Sequence, residues 1–490
     1  MTNEIIWCLV NFTARLTLHK TATKNSKQFF RESVSYKNRY CMLKKLLNCI
    51  SLLQTREIRI MKIYDLLGIG FGPSNIALAI SVDELRQRGH QLECFFIEKQ
   101  TNFAWHRDML LNDADMQISF LKDLATLRNP RSHFTFTNYL FEKGRLQDFI
   151  NLKTFFPSRQ EFNDYLAWAA SHFENDCAYN EEVVEVLPEK KDSDVTLLRV
   201  ISRDSTGNIR ERLTRNLVVS IGGTPKIPVS FLSLENDPRI FHSSQYLSSI
   251  TKLSHAKRIA IIGAGQSATE IFLDLHGRSS DVEIDLIMRG RAMHPSDDSP
   301  SVNEIFNTEF TDYMFSRTPE ERTRLLKEFH HTNYAAPDID QIENIFRILY
   351  NQKVTGVQRH TLITNHETRE AQASDYGIRL RITDLETNLV QERDYDAVIL
   401  ATGYLRSHHK TILAPLAQYL PNFTVTRHYR LDSTPNFKPA IFVQGASETT
   451  HGISDSLLSV TAVRTHEIGE AIISIANIDF ENSPKKHITA

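Results

Sequence analysis

The chain has 490 residues, a formal net charge of −2 and 41% hydrophobic residues. That length suits two or three domains, each with room for a core. The mixed charge offers no broad basic field for nucleic acid, and no run of about 20 apolar residues marks a membrane span. Five cysteines without paired spacing indicate neither a metal site nor a secreted disulfide framework, so a reducing cytoplasm is the expected location.

Residues 1–60 differ from the rest. They hold 11 Lys/Arg against three Asp/Glu, and three of the five cysteines, Cys8, Cys41 and Cys49. The apolar stretch 5–10 is short and lacks a small-residue cleavage site, which makes a poor signal peptide. A basic head containing Ser and Thr also fits an organelle transit peptide. The simpler expectation is an over-extended start or a poorly ordered extension ahead of Met61.

The first chemistry-bearing motif follows at once. A strand-like stretch, 63–67, runs into Gly68-Ile69-Gly70-Phe71-Gly72-Pro73, and 75–80 reads as a helix of small and apolar residues. Glycines allow a tight bend and a close approach of backbone to a pyrophosphate, and the helix N-terminus attracts the phosphates. After a turn at Arg88-Gly89-His90, the strand 92–98 ends in Glu98, where an acid holds adenosine ribose hydroxyls. A β-hairpin or a glycine used for shape alone is the competing account.

Residues 107–145 read as a loop-rich region over a cofactor, with 116–123 and the aromatic run 134–139 inside it. Pro157 and Ser158 open a helix to 173, with Glu161 placed to complete a capping box. Strands are predicted at 183–187, 195–201 and 216–221, the last re-entering the first sheet before a domain crossing at 222–228.

A second strand–turn–helix stands at Gly263-Ala264-Gly265-Gln266-Ser267-Ala268, preceded by 258–262. Its second strand, 282–288, ends in Arg289-Gly290-Arg291 instead of an acid. Arginine there pairs with a ribose phosphate, which favours NADPH over NADH; a merely solvated turn is the alternative. The polar excursion 293–352 is predicted to form a helical substrate lid. The strand 396–400 ends in Ala401-Thr402-Gly403-Tyr404, predicted to pass close to both cofactors. The C-terminal helix 460–473 is placed to point its N-terminus at a flavin. The expected fold is α/β, with two Rossmann-like dinucleotide-binding domains: a discontinuous FAD domain (61–245 and 400–480) and an inserted NADPH domain (246–399).

Both glycine turns, the segments 116–123, 302–306 and 331–334, Ala401 to Tyr404, and above all Gln117-Ile118-Ser119-Phe120-Leu121-Lys122-Asp123-Leu124 and 451–459, resemble the microbial siderophore N-hydroxylating monooxygenases. These are the L-ornithine N5- and L-lysine N6-hydroxylases and their relatives acting on diamines or histamine. The resemblance covers about 61–475. It implies that NADPH reduces FAD, that reduced FAD captures O2, and that a C4a-hydroperoxyflavin transfers oxygen to a primary amine, in an assembly of two or four copies. It implies that Lys122 and Asn303 hold a substrate carboxylate, Asn333 the α-amino group, and Ser459 the same end of the site. It puts Gln117 beside the flavin, Asn303 also at the nicotinamide, and Trp105, His106 and Leu457 among the cofactor contacts. Taken singly, Lys122 also reads as a solvated loop lysine, and Asn303 and Asn333 as helix caps.

Two positions depart from the ornithine enzymes, which have a phenylalanine where Ser301 stands and a serine where Ala335 stands. The implied substrate is L-ornithine, with L-lysine or a carboxylate-free amine (putrescine, cadaverine or histamine) as the alternative. A disulfide reductase lacks its Cys-x-x-Cys here, a Baeyer–Villiger enzyme lacks its linker fingerprint, and the complete set of site segments argues against a sensor without turnover.

Overall fold

The computed structural model describes residues 61–482; residues 1–60, and with them the expectations for the basic head, lie outside the described residues. The strand Ile63–Ile69 occupies the interior of a seven-stranded sheet, flanked by Cys94–Ile97 on one side and Ile209–Val219 on the other. Leu66 and Leu67 are both fully buried, as a strand covered on two faces requires. Cys177–Ala178 extends this sheet beyond Cys94–Ile97, and Glu181–Lys191 and Asp194–Asp204 extend it on the far side.

Ile209–Val219 changes partners along its length. One edge pairs antiparallel with Asp194–Asp204 up to Thr214 and parallel with Ala440–Val443 from Asn216, while the other runs parallel to Ile63–Ile69 from Leu213. The predicted re-entry at Val218 is therefore observed. The strand begins earlier than expected because Arg210, Glu211 and Arg212 belong to a solvent-facing hairpin, where charge hides the strand pattern.

The second sheet has five parallel strands in the order His360–Ile363, Glu283–Ile287, Arg258–Ile262, Ala397–Leu400, Ile240–His242. All five lie in sequence between the two stretches of chain that build the first sheet. A three-stranded antiparallel sheet, His366–Ser374, Gly377–Asp384 and Val390–Tyr395, packs Ile378, Leu380 and Ile382 against Ala260, Ile287 and Val398. A short ribbon, Thr224–Pro225 with Tyr404–Leu405, ties the two crossings together.

Two local expectations need correction. The aromatic run does not stay in loop: Thr135 caps a helix, Phe136–Glu142, by accepting from the Asn138 N–H at 3.2 Å. The Ser158 box is half formed. Ser158 Oγ accepts from the Glu161 N–H, but the Glu161 carboxylate turns away to Arg145 at 3.1 Å. The excursion is helical as expected, with Pro300–Asn303, Thr308–Ser316, Pro319–Glu328 and Ile339–Thr355. The last helix, Thr461–Asn482, lies on the helix Pro73–Gln87 with Gly469 against Leu85 and Ser81. Among the described residues no helix is long and apolar enough to cross a membrane.

Candidate active site

The three glycines of the first turn have different physical causes. A Cβ on Gly68 would stand 2.3 Å from the Phe96 ring, so Gly68 lets the helix and the neighbouring strand close up. Gly70 sits at φ +84°, and a Cβ there would meet the Ser220 carbonyl oxygen at 2.5 Å. Gly72 has no protein atom within 4 Å of such a Cβ, which leaves its backbone open to a ligand. Crowding at Gly68 and Gly70 thus comes first from the protein itself, not from a pyrophosphate. Pro73 occupies the first helical turn, where its missing N–H costs nothing. Glu98 is buried beside the turn and accepts from the Phe71 N–H at 2.7 Å and the Gln100 N–H at 2.9 Å. An open backbone at a helix N-terminus with an oriented carboxylate beside it fits an adenine dinucleotide.

A buried polar network behind this turn escaped the sequence reading. Asn75 donates to the Gly70 carbonyl at 2.6 Å, and its oxygen accepts from Ser220 Oγ at 2.9 Å and Gln444 Nε2 at 3.2 Å. Arg464, 2% exposed, joins Gln444, Asp455 and Ser74. Its ion pair with Asp455 links the 451–459 motif and the last helix to the first turn. The available signal was a polar residue on an otherwise apolar helix face: Asn75 ahead of Ile76-Ala77-Leu78, and Arg464 after Ala462-Val463.

At the second turn, Gly263 (φ +146°) lies against the Ala401 carbonyl, where a Cβ would approach to 2.3 Å. Gly265 caps the helix Gln266–Arg278 and faces the backbone of Ala335, which holds a left-handed conformation at φ 55°. Ala335 thus rests on the nucleotide turn as well as following Asn333 and Tyr334. Gln266 bonds to Asp338 and Glu270, while Ser267 is half-buried in the first helical turn. Arg289 and Arg291 are both exposed but not equivalent. Arg291 pairs with Glu386 at 2.8 Å, and Arg289 has no ion-pair partner among the described residues.

Ala401 to Tyr404 crosses between the sheets. Thr402 Oγ1 donates to the Lys226 carbonyl, and the Gly403 carbonyl accepts from the Lys226 N–H. His242 is buried below; its Nδ1 accepts from the Ser244 N–H at 3.1 Å, so Nε2 carries the proton and donates to the Gly403 carbonyl at 3.0 Å. Burial pushes its pKa down to about 4. Tyr404 stacks edge-on against this imidazole.

Of the proposed substrate residues, Lys122 faces a small apolar cluster. Phe306, Ile305 and Ile453 form it, with Val302, Tyr334 and Leu457 packed around them. Asn303 and Asn333 adjoin this cluster in sequence. Asn303 donates to the Asp298 carbonyl at 2.7 Å, which ties down its own loop and is not a helix cap. Asn333 is half-buried after the turn His330–Thr332, and Ser459 is 4% exposed. The Lys122 ammonium lies 6.0 Å from the Phe306 ring centroid and forms no ion pair among the described residues. Partial burial lowers its pKa from the ordinary lysine value. Asp123 fixes this loop by accepting from the N–H groups of Ala125, Thr126 and Phe136.

Gln117 donates to Asp338 and Gln266, so it touches the second turn directly. Trp105 is anchored by its backbone N–H, which donates to Asn163 Oδ1, and packs on Phe162, while His106 is exposed with a left-handed backbone at φ 50°.

A family model described as L-lysine 6-monooxygenase/L-ornithine 5-monooxygenase matches residues 62–406. L-ornithine N(5)-monooxygenase of Pseudomonas aeruginosa is 49% identical over 414 residues, covering 84% of this chain and 94% of that protein. The solved Ornithine Hydroxylase (PvdA) from the same organism superposes with a TM-score of 0.82 at 48% identity, over 85% of this chain and all of that one. The Kutzneria sp. 744 ornithine N-hydroxylase, solved with reduced FAD, NADP+ and L-ornithine, has a TM-score of 0.80 at 33% identity, over 84% of this chain and 99% of that one. The chain belongs to the L-lysine 6-monooxygenase/L-ornithine 5-monooxygenase family, as the model match over most of the chain and the 49% identity show.

Proposed function

We propose that this protein hydroxylates the side-chain amine of L-ornithine, using FAD, NADPH and O2, as a step towards a hydroxamate siderophore. The flavoprotein monooxygenase class follows from the family; the residue roles and the pathway are this proposal's own. Bound FAD supplies the redox and oxygen-activating chemistry, with NADPH as the electron source. The chain holds and orients. Gly72, Pro73 and the helix start receive the FAD pyrophosphate, Glu98 the ribose hydroxyls, and Trp105, His106, Gln117 and Leu457 the rest of the cofactor. Gly263, Gly265, Gln266 and Ser267 receive the NADPH pyrophosphate and Arg289 the ribose phosphate, with Arg291 as a second, partly occupied cation. Ala401 to Tyr404 lies between the two nucleotides.

The observation that carries the substrate is Lys122, a half-buried cation without a carboxylate partner among the described residues. A carboxylate on the substrate completes it, and a second ammonium is repelled by it. Asn303, Asn333 and Ser459 complete the amino-acid end. A free alkyl amine titrates near about 10, and the apolar cluster around Phe306 favours its neutral, nucleophilic form by desolvation. The test measures hydroxylamine product, not NADPH loss, with ornithine, lysine, putrescine, cadaverine and histamine. Product from ornithine that collapses in Lys122→Ala supports the assignment; product only from carboxylate-free amines overturns it.

The same proposal assigns 61–245 and 400–480 to FAD, 246–399 to NADPH, and 293–352 to a substrate lid. It places the enzyme in the cytoplasm as a homodimer or homotetramer. A chain begun at Met61 is expected to bind FAD and turn over, and light scattering is expected to find two or four copies. An FAD-free truncated product, or a monomer at micromolar concentration, contradicts these points.

A further inference from the structure

Four stretches of chain that are far apart in sequence meet at Asp338. Its Oδ1 accepts from Gln117 Nε2 at 2.9 Å and from Ser296 Oγ at 3.3 Å. Its Oδ2 accepts from Gln266 Nε2 at 2.9 Å, and its backbone N–H donates to Gln266 Oε1 at 2.9 Å. Gln117 Nε2 also reaches Gln266 Oε1 at 3.3 Å. Each glutamine therefore offers both amide hydrogens to named acceptors, since Gln266 Nε2 also donates to Glu270 at 2.9 Å. A flip of either amide would set oxygen against a carboxylate.

Asp338 is also the residue that begins the helix Ile339–Thr355, yet its side chain makes no capping bond to that helix. An aspartate in this position ordinarily spends its carboxylate on its own helix. Here both oxygens point outward to the two glutamines and Ser296. No cation pairs with it among the described residues, so its charge is met by amide and hydroxyl donors alone.

We propose that Asp338 is a positioning residue for the oxygenation, setting the Gln117 and Gln266 amides together so that nicotinamide nucleotide bound at Gln266 is felt by the amide on the flavin side. This rests on the assignment of Gln117 to the flavin and Gln266 to the NADPH turn. Charge-assisted hydrogen bonds of this kind hold geometry more firmly than neutral ones. The Ser296 contact, together with the Ser296 N–H donating to the Pro337 carbonyl at 2.9 Å, secures the clamp to the excursion.

The experiment uses the full-length, FAD-loaded protein and needs no amine. In Asp338→Asn the residue keeps its shape and its tendency to begin a helix, but opposes an amide donor to an amide donor. Anaerobic flavin reduction by NADPH gives the nucleotide affinity, and oxygen is then admitted to the reduced, NADP+-bound enzyme. The expected result is an affinity weaker by about five- to tenfold, the size of one lost hydrogen bond, with faster release of hydrogen peroxide and an unchanged melting temperature. Asp338→Ser, which also keeps the helix start, is expected to behave alike. Unchanged or tighter NADPH binding overturns the proposal, because the carboxylate then acts only as a like charge beside the phosphates. A change in affinity without a change in peroxide release overturns the coupling. Loss of FAD from both variants makes Asp338 a folding residue and also overturns it. Since no amine is present, failure of ornithine turnover leaves this test unaffected.

Discussion

Arg159 grips Glu270 with both ends of its guanidinium, at 2.8 and 2.6 Å, in a nearly buried ion pair. Arg159 opens the helix Arg159–Ser171, which packs into the core of the first sheet; Glu270 lies one turn into the helix of the second glycine turn. The pair therefore joins the two nucleotide-binding halves beside Gln266. Removing one partner leaves a buried charge without compensation. Glu270→Ala is expected to cost about 3 kcal/mol or more, read as a lower denaturation midpoint, while Arg159→Met combined with Glu270→Leu recovers much of that loss.

The glycines of the first turn separate packing from cofactor binding. Gly68→Ala drives a methyl into the Phe96 ring and Gly70→Ala into the Ser220 carbonyl, so both are expected to lower the stability of the FAD-free protein. Gly72→Ala meets open space, leaving that stability unchanged and weakening FAD retention. Thermal melts with and without FAD check this. A Gly72→Ala protein that retains FAD as the parent does removes the pyrophosphate from that position.

The two arginines after Glu283–Ile287 should respond unequally. Arg289 has no ion-pair partner among the described residues, whereas Arg291 already holds Glu386. Arg289→Ala is expected to raise KM for NADPH about tenfold, as loss of one charge-assisted bond implies, and to leave NADH unaffected. Arg291→Ala is expected to have a smaller effect, because Arg291 already shares its charge with Glu386. Steady-state kinetics with both nucleotides measure the contrast. Equal effects on NADPH and NADH contradict a phosphate-reading role.

His242 sets a pH response of stability. Its folded pKa lies near 4 against 6.5 for the free side chain, because burial outweighs its hydrogen bond to the Gly403 carbonyl. Between those values the unfolded chain binds a proton that the folded chain refuses. Stability is therefore intact above pH 6.5 and falls as pH drops towards 4, by roughly 3 kcal/mol from this residue. His360, buried and pushed down to about 3, adds in the same direction. Denaturant titrations at pH 7 and pH 5 are expected to show the loss, with a shallower slope in His242→Gln.

Much of the architecture is legible along the chain because glycine turns between apolar runs are local signals. The first turn, its helix and the strand ending at Glu98 follow in order within about 35 residues, and the second turn repeats the pattern. The strand Gly377–Asp384 has a legible alternation of Ile378, Leu380 and Ile382 with Arg379 and Arg381, but it carries no motif that points to function. The Glu161 carboxylate shows the limit of such local rules: a capping box is permitted by spacing, and a nearby Arg145 takes the side chain instead.

By itself, then, the sequence determined two strand–turn–helix units suited to dinucleotides and a resemblance to one enzyme family, while the residue roles around the cofactors are proposals. Those properties depend on short stretches whose backbone needs are local. Only the tertiary structure decided that Gly68 serves Phe96, that Arg159 meets Glu270 across 111 positions, and that Asp338 gathers Gln117 and Gln266. Such pairings join residues with no spacing rule between them. They exist because a buried charge or amide needs a partner, and folding alone determines which partner comes within reach.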